Sequence, residues 1–138
     1  MVARDSDGNF LLAAAKKIPG EWRPETAEAM AAEFGAQLAA HFHYSDVVLE
    51  SDCLTLIQKM HHPEEQHDEV GVLCRSIRRL LFASGQGGWK HISREANEAA
   101  HLMAHTETRW NERVVWVDQP PVFLIDQLLQ DNVTASID

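Results

Sequence analysis

Three stretches of this chain hold residues whose types and spacing could do chemistry. The first is Val48-Leu49-Glu50-Ser51-Asp52-Cys53, a short apolar run that ends in acidic residues. An amphipathic segment with Leu54, Ile57 and Met60 follows at once. A carboxylate at the C-terminal tip of a buried strand sits where open α/β sheets place their reactive groups. The second stretch is Glu25-Thr-Ala-Glu28-Ala-Met-Ala-Ala, a helical run in which alanines flank Glu28. That flank places Glu28 near an apolar face, where a free carboxylate is costly. The third is Lys90-His91-Ile-Ser-Arg94-Glu95-Ala-Asn97-Glu98-Ala-Ala-His101. It supplies two imidazoles, which exchange protons near neutral pH.

Each residue also has a plainer reading. Asp52 opens a predicted helix, and Asp is a favoured N-cap for its own sake. Glu28 could be a solvated helix residue and His91 a surface histidine. His101 lies at helical spacing from Glu98 and His105, which suits packing as well as ligation. The other histidines (His41, His43, His61, His62, His67) invite a zinc reading, but no cysteine joins them at fixed ligand spacing. Arg75, Arg78 and Arg79 share a predicted helix face that is either solvated or a basic handle for phosphates.

Positioning these groups requires strands that alternate with helices. Asp5-Ser-Asp7-Gly8-Asn9 is a hairpin signal, because Asp-Gly readily supplies positive φ. It joins a strand over residues 1–4 to one over 10–15. Pro24 suits a helix start, since its missing N–H would be unpaired there anyway. Residues 25–41 then read as a helix with Ala27, Met30, Ala31, Phe34 and Leu38 on one face. A buried strand spans 46–50, and helices span 52–60 and 68–82. The second of these helices turns Val72, Leu73, Ile77, Leu80 and Leu81 inward. A strand over 89–92, a helix over 94–105 and a C-terminal tail complete the pattern, which is α/β.

In this order the elements and motifs resemble the type 1 ribonuclease H domain, in its plant reverse-transcriptase-like branch. The resemblance covers residues 1–110, with 111–138 as a C-terminal extension whose end is expected to be disordered. It implies a mixed sheet flanked by helices, from which the first, central strand is missing before Met1. It also implies metal-dependent endonucleolytic hydrolysis of RNA in RNA–DNA hybrids, by two divalent ions clamped between carboxylates. Glu28 matches the glutamate of the first long helix, and Asp52 the aspartate at the tip of the fourth strand. His91 matches the histidine that assists product release or proton transfer. The fourth carboxylate position is His101 here, and imidazole suits Mn²⁺ or Zn²⁺ better than Mg²⁺. The aspartate of the missing strand has no counterpart, since Asp5 and Asp7 lie in the following turn. The expected cofactor is therefore Mg²⁺ or Mn²⁺ in an incomplete site, and the expected partner is nucleic acid. The alternative is an inactive nucleic-acid-binding or interaction module that keeps the fold.

Composition narrows the setting. The chain has 138 residues, 45% of them hydrophobic, enough for one domain with a core. Its net charge of −9 argues against sequence-independent clinging to nucleic acid through bulk charge. Two cysteines without metal-type spacing suit a reduced compartment. With no secretory signal and no membrane-spanning run, an intracellular location in cytoplasm or nucleus is expected.

Overall fold

A computed structural model describes residues 1–105 and 113–137, with side chains described up to Asp131. In chain order it contains β1 (Val2–Arg4), β2 (Phe10–Ala15), α1 (Pro24–His41), β3 (Val48–Ser51), α2 (Leu54–His61) and α3 (Glu69–Phe82). Then come β4 (Gly88–His91), α4 (Glu98–Ala104), β5 (Val114–Val117) and α5 (Val122–Ile137). The fold is mixed α/β, and the described strands form two sheets, an antiparallel β1-β2-β5 and a parallel β3-β4. The chain divides into two units, residues 1–19 with 94–138, and residues 20–93.

In the first unit, the Asp5–Asn9 turn forms as its sequence dictates. The Asp5 carboxylate accepts from the backbone N–H of Asp7 at 3.0 Å and of Asn9 at 2.9 Å, and Gly8 takes φ +83°. These bonds, above all that from Asn9, hold the Asp5 pKa below its usual value. β2 carries β1 on one edge and β5 on the other. Ala13 packs with Ala99 and Met103 of α4 and with Leu124 and Leu128 of α5. Residues that the sequence reading treats as an extension thus supply a strand and two core leucines. The expected disorder at the chain's end falls on residues 132–138, outside those whose side chains are described.

The second unit packs α1, α2 and α3 around Ala29, Ala32, Ala36, Leu56, Met60, Val70, Cys74, Ile77 and Leu81. The buried stripe of α1 differs from the expected one. Ala29, Ala32 and Ala36 face inward, whereas Ala27 and Ala31 are exposed. Leu38 is buried as expected, but in so alanine-rich a helix alanines take most of the buried positions. Small side chains let α1 and α3 approach closely. On α3 the stripe is Val70, Cys74, Ile77 and Leu81, an i, i+4, i+7, i+11 repeat, and Val72 lies outside it, 58% exposed. Leu54 is likewise exposed and Leu56 takes the buried place on α2.

β3 is half-buried rather than buried. Leu49 packs against the helical core, Ser51 is buried, and Val48 and Glu50 are exposed. The strand has a hydrogen-bonded partner, β4, on one edge, and its faces alternate with the period of two that a one-sided sheet imposes. The predicted helix over residues 94–105 also breaks, into a 3₁₀ turn at Glu95–Asn97 followed by α4.

Candidate active site

The parallel register places the sequence-predicted residues. Val48, Leu49, Glu50 and Ser51 lie opposite Gly88, Trp89, Lys90 and His91. Both strands therefore end together, and the pairing is closed by the Ile92 N–H, which donates to the Ser51 carbonyl at 3.0 Å. Asp52 is the next residue after Ser51, and His91 is Ser51's partner. The structure thus brings Asp52 and His91 to the C-terminal end of one parallel pair, where both are at least partly open to solvent. This is the end at which α/β sheets hold their ligands.

The local geometry at Asp52 corrects one expectation. Asp52 is not the N-cap of α2. That place belongs to Cys53, which makes no side-chain capping bond, and the helix begins at Leu54. Asp52 stands one residue earlier, in a bend. The bend is fixed by Ser51, whose buried Oγ accepts from the Cys53 N–H at 3.1 Å. A hydroxyl bonded two residues along its own chain makes a tight turn without repeating structure. Ser51 was not singled out in the sequence. The signal was there, since a serine flanks a strand end and a helix start, but it is weak by itself. The Cys53 thiol lies 3.4 Å from Thr55 Oγ1, so it too is engaged locally.

Glu28 lies on the second turn of α1 and is exposed, not set into the apolar face. Its neighbour Ala29 takes the buried position. The start of α1 is anchored by other groups. Glu25 Oε1 meets Lys59 Nζ of α2 at 2.6 Å, and Thr26 Oγ1 donates to Glu69 of α3 at 3.1 Å. The Lys59 pKa is raised, chiefly by its bond to Glu25.

The three arginines of α3 divide their work. Arg75 donates to the carbonyls of Pro63 at 2.8 Å and Gln66 at 2.9 Å, tying down the turn before the helix. Arg78 lies over the ring of Trp89 at 5.5 Å and that of Phe82 at 5.9 Å. Arg79 is exposed. The three still share one face of α3, at i, i+3 and i+4, but Arg75 and Arg78 are engaged within their own unit. Trp89 also donates from Nε1 toward His61 Nδ1 at 3.4 Å, a long bond. On the outer face of the pair, Lys90 is exposed and lies opposite Glu50.

His101 lies on α4 in the first unit, and its Nε2 is 3.0 Å from Nε2 of His105. Among the described residues no three His, Cys, Asp or Glu side chains are grouped so that they could hold a metal ion. Mg²⁺ demands near-octahedral oxygen coordination. The residues described do not fit a two-ion clamp, and no chemical step is derived through one.

Comparison with known families identifies the domain. The profile of the reverse transcriptase-like family matches residues 1–107. The chain belongs to that family and carries a ribonuclease H-like domain, a class that generally binds nucleic acid. Searches of curated proteins and of solved structures return no significant match. Among the described residues no helix is long and apolar enough to cross a membrane.

Proposed function

We propose that this domain binds RNA–DNA hybrid or a closely related nucleic acid and hydrolyses the RNA strand only feebly. The reading rests on one observation, the convergence of Asp52 and His91 at the C-terminal end of the β3-β4 pair. A carboxylate and an imidazole on neighbouring strand ends can orient a nucleophile and move a proton. Lys90, exposed beside His91, offers a local cation to the phosphate backbone in a chain of net charge −9. Mg²⁺ or Mn²⁺ is the cofactor the reading implies, and Asp52 and Glu28 are the carboxylates that would hold it. Feeble turnover is expected because those groups make no ready-built site. Free thiols at Cys53 and Cys74 support an intracellular setting, cytoplasm or nucleus.

A second reading has its own support. Glu28 is exposed on α1 and His101 pairs with His105, and these placements favour a binding or interaction module with no hydrolysis. The experiment is a pair of assays on the full chain with a labelled hybrid. Anisotropy measures affinity at several salt concentrations, and gel electrophoresis measures cleavage in Mg²⁺ and in Mn²⁺. The expected result is salt-dependent binding with slow cleavage, faster in Mn²⁺ and lost in Asp52→Asn. Binding without cleavage in either ion establishes the second reading. Failure to bind hybrid, duplex DNA or duplex RNA overturns both.

A further inference from the structure

The last turn of α4 and its C-cap read His101-Leu102-Met103-Ala104-His105, with two imidazoles four residues apart. Residues at that spacing stack on one helix face, with Cβ atoms about 5–6 Å apart. Here the pairing is direct. The Nε2 atoms are 3.0 Å apart, and the rings meet edge to face with centroids 4.4 Å apart. His105 is exposed and His101 is partly so, and neither ring is drawn into the core that Ala99 and Met103 build on the other side of the helix.

We propose that His101 and His105 form a two-histidine chelate for a borderline divalent metal ion such as Cu²⁺, Ni²⁺ or Zn²⁺. The geometry carries the argument. An imidazole nitrogen binds such ions at about 2.0–2.1 Å. Two such nitrogens on one ion stand about 2.9 Å apart at a right-angle bite and about 3.3 Å at a tetrahedral one. The observed 3.0 Å falls between these limits, so the spacing suits a bidentate ion once both rings turn their Nε2 lone pairs toward it and the bridging proton moves from Nε2 to Nδ1 of its own ring. Helical i, i+4 histidine pairs are the ligand frame of zinc hydrolases, in which a glutamate follows the first histidine. Leu102 occupies that place here, so the frame binds without a general base. Water would fill the remaining positions. Nitrogen ligands select against Mg²⁺, which separates this site from the carboxylates proposed for the nucleic-acid function.

The test is calorimetric titration of the full chain with Cu²⁺ and Ni²⁺, in wild type, His105→Asn and His101→Asn, with Mg²⁺ as control. His105 is exposed, so His105→Asn is expected to fold as wild type does, and circular dichroism checks this. One equivalent of Cu²⁺ should bind more tightly than any other, with affinity reduced at least tenfold in either variant. Electron paramagnetic resonance of that equivalent should show two nitrogen ligands in wild type. Copper affinity and nitrogen count unchanged in His105→Asn would overturn the proposal, because the remaining histidines would then be the ligands. Hybrid affinity measured on the same variant should equal that of wild type, so the two proposals fail separately.

Discussion

The two ends of the β3-β4 pair are built differently. At the N-terminal end the loops are clamped. Asp46, in a left-handed conformation at φ +53°, accepts from the Gln86 N–H at 2.9 Å, and the Gly88 N–H donates to the Val47 carbonyl at 3.1 Å. Gly85 has φ +135°, and a Cβ there would strike the Asp46 carboxylate. A Cβ on Gly87 would stand 2.6 Å from the Leu81 carbonyl. At the C-terminal end the Ser51 hydroxyl organises the turn, the Ile92 N–H closes the pairing, and Asp52 and His91 are left partly or wholly exposed. One end fixes the register, and the other leaves reactive groups accessible. On the proposed reading, stability and function fall at opposite ends of the same two strands, as expected when binding residues stand on loops held by a rigid scaffold.

The largest effect should come from the clamped end. Gly85→Val combines a forbidden backbone conformation with a collision at Asp46, and is expected to cost about 2–3 kcal/mol. Thermal unfolding should fall by roughly 6–12 °C. A loss no greater than that of a surface substitution would show that the loop can rearrange.

Asp46→Ala should cost less, about 1–2 kcal/mol, by removing the acceptor for Gln86 and placing a poor residue at positive φ. Asp46→Gly separates these causes, because it removes the acceptor but tolerates the conformation. Urea unfolding of the two variants should rank glycine as the milder. Equal losses would mean that the hydrogen bond, not the conformation, holds the loops.

At the open end, Ser51→Ala should cost about 1 kcal/mol through the orphaned Cys53 N–H. Asp52→Asn should change stability by less than about 0.5 kcal/mol. Both should nevertheless diminish any hybrid cleavage, since one removes the carboxylate and the other frees its bend. Large destabilisation by Asp52→Asn would recast that residue as structural.

The smallest effect concerns the helix starts that flank this region. α2 begins without a side-chain cap, whereas α3 is capped by Asp68, whose carboxylate accepts from the Gly71 N–H at 2.9 Å. That bond, with lesser help from Lys59 and Arg23, lowers the Asp68 pKa from its usual 3.8. The unfolded chain then binds the proton more readily, so the contribution is fully present above that value and is lost as pH falls through the lowered one. Acid titration of Asp68→Asn should show a shallower loss of stability below pH 3.8 than wild type. An unchanged acid limb would leave the cap without energetic weight.

Much of the fold was legible because local chemistry decided it. The Asp5–Asn9 hairpin, Pro24 at the start of α1 and the strand that ends just before Asp52 follow from turn residues, a fixed φ and apolar runs. Val114-Val-Trp-Val117 was legible too, as a β-branched run before a double proline, yet it reads as an extension until β2 provides an edge for it. Burial was less legible. Apolar type alone pointed to Ala27, Ala31 and Val72, but each is exposed. Which stripe of an alanine-rich helix faces inward depends on the shape of the neighbour, and α3 accepts small side chains.

The sequence by itself determined the α/β alternation, the family and the identities of Glu28, Asp52, His91 and His101, because these rest on residue types in a fixed order. Only the tertiary structure decided which of them meet. Strand register, a long-range hydrogen-bond pattern, put Asp52 beside the partner of Ser51. Helical stacking paired His101 with His105. The exposure of Glu28 followed from which face of α1 the alanines claimed.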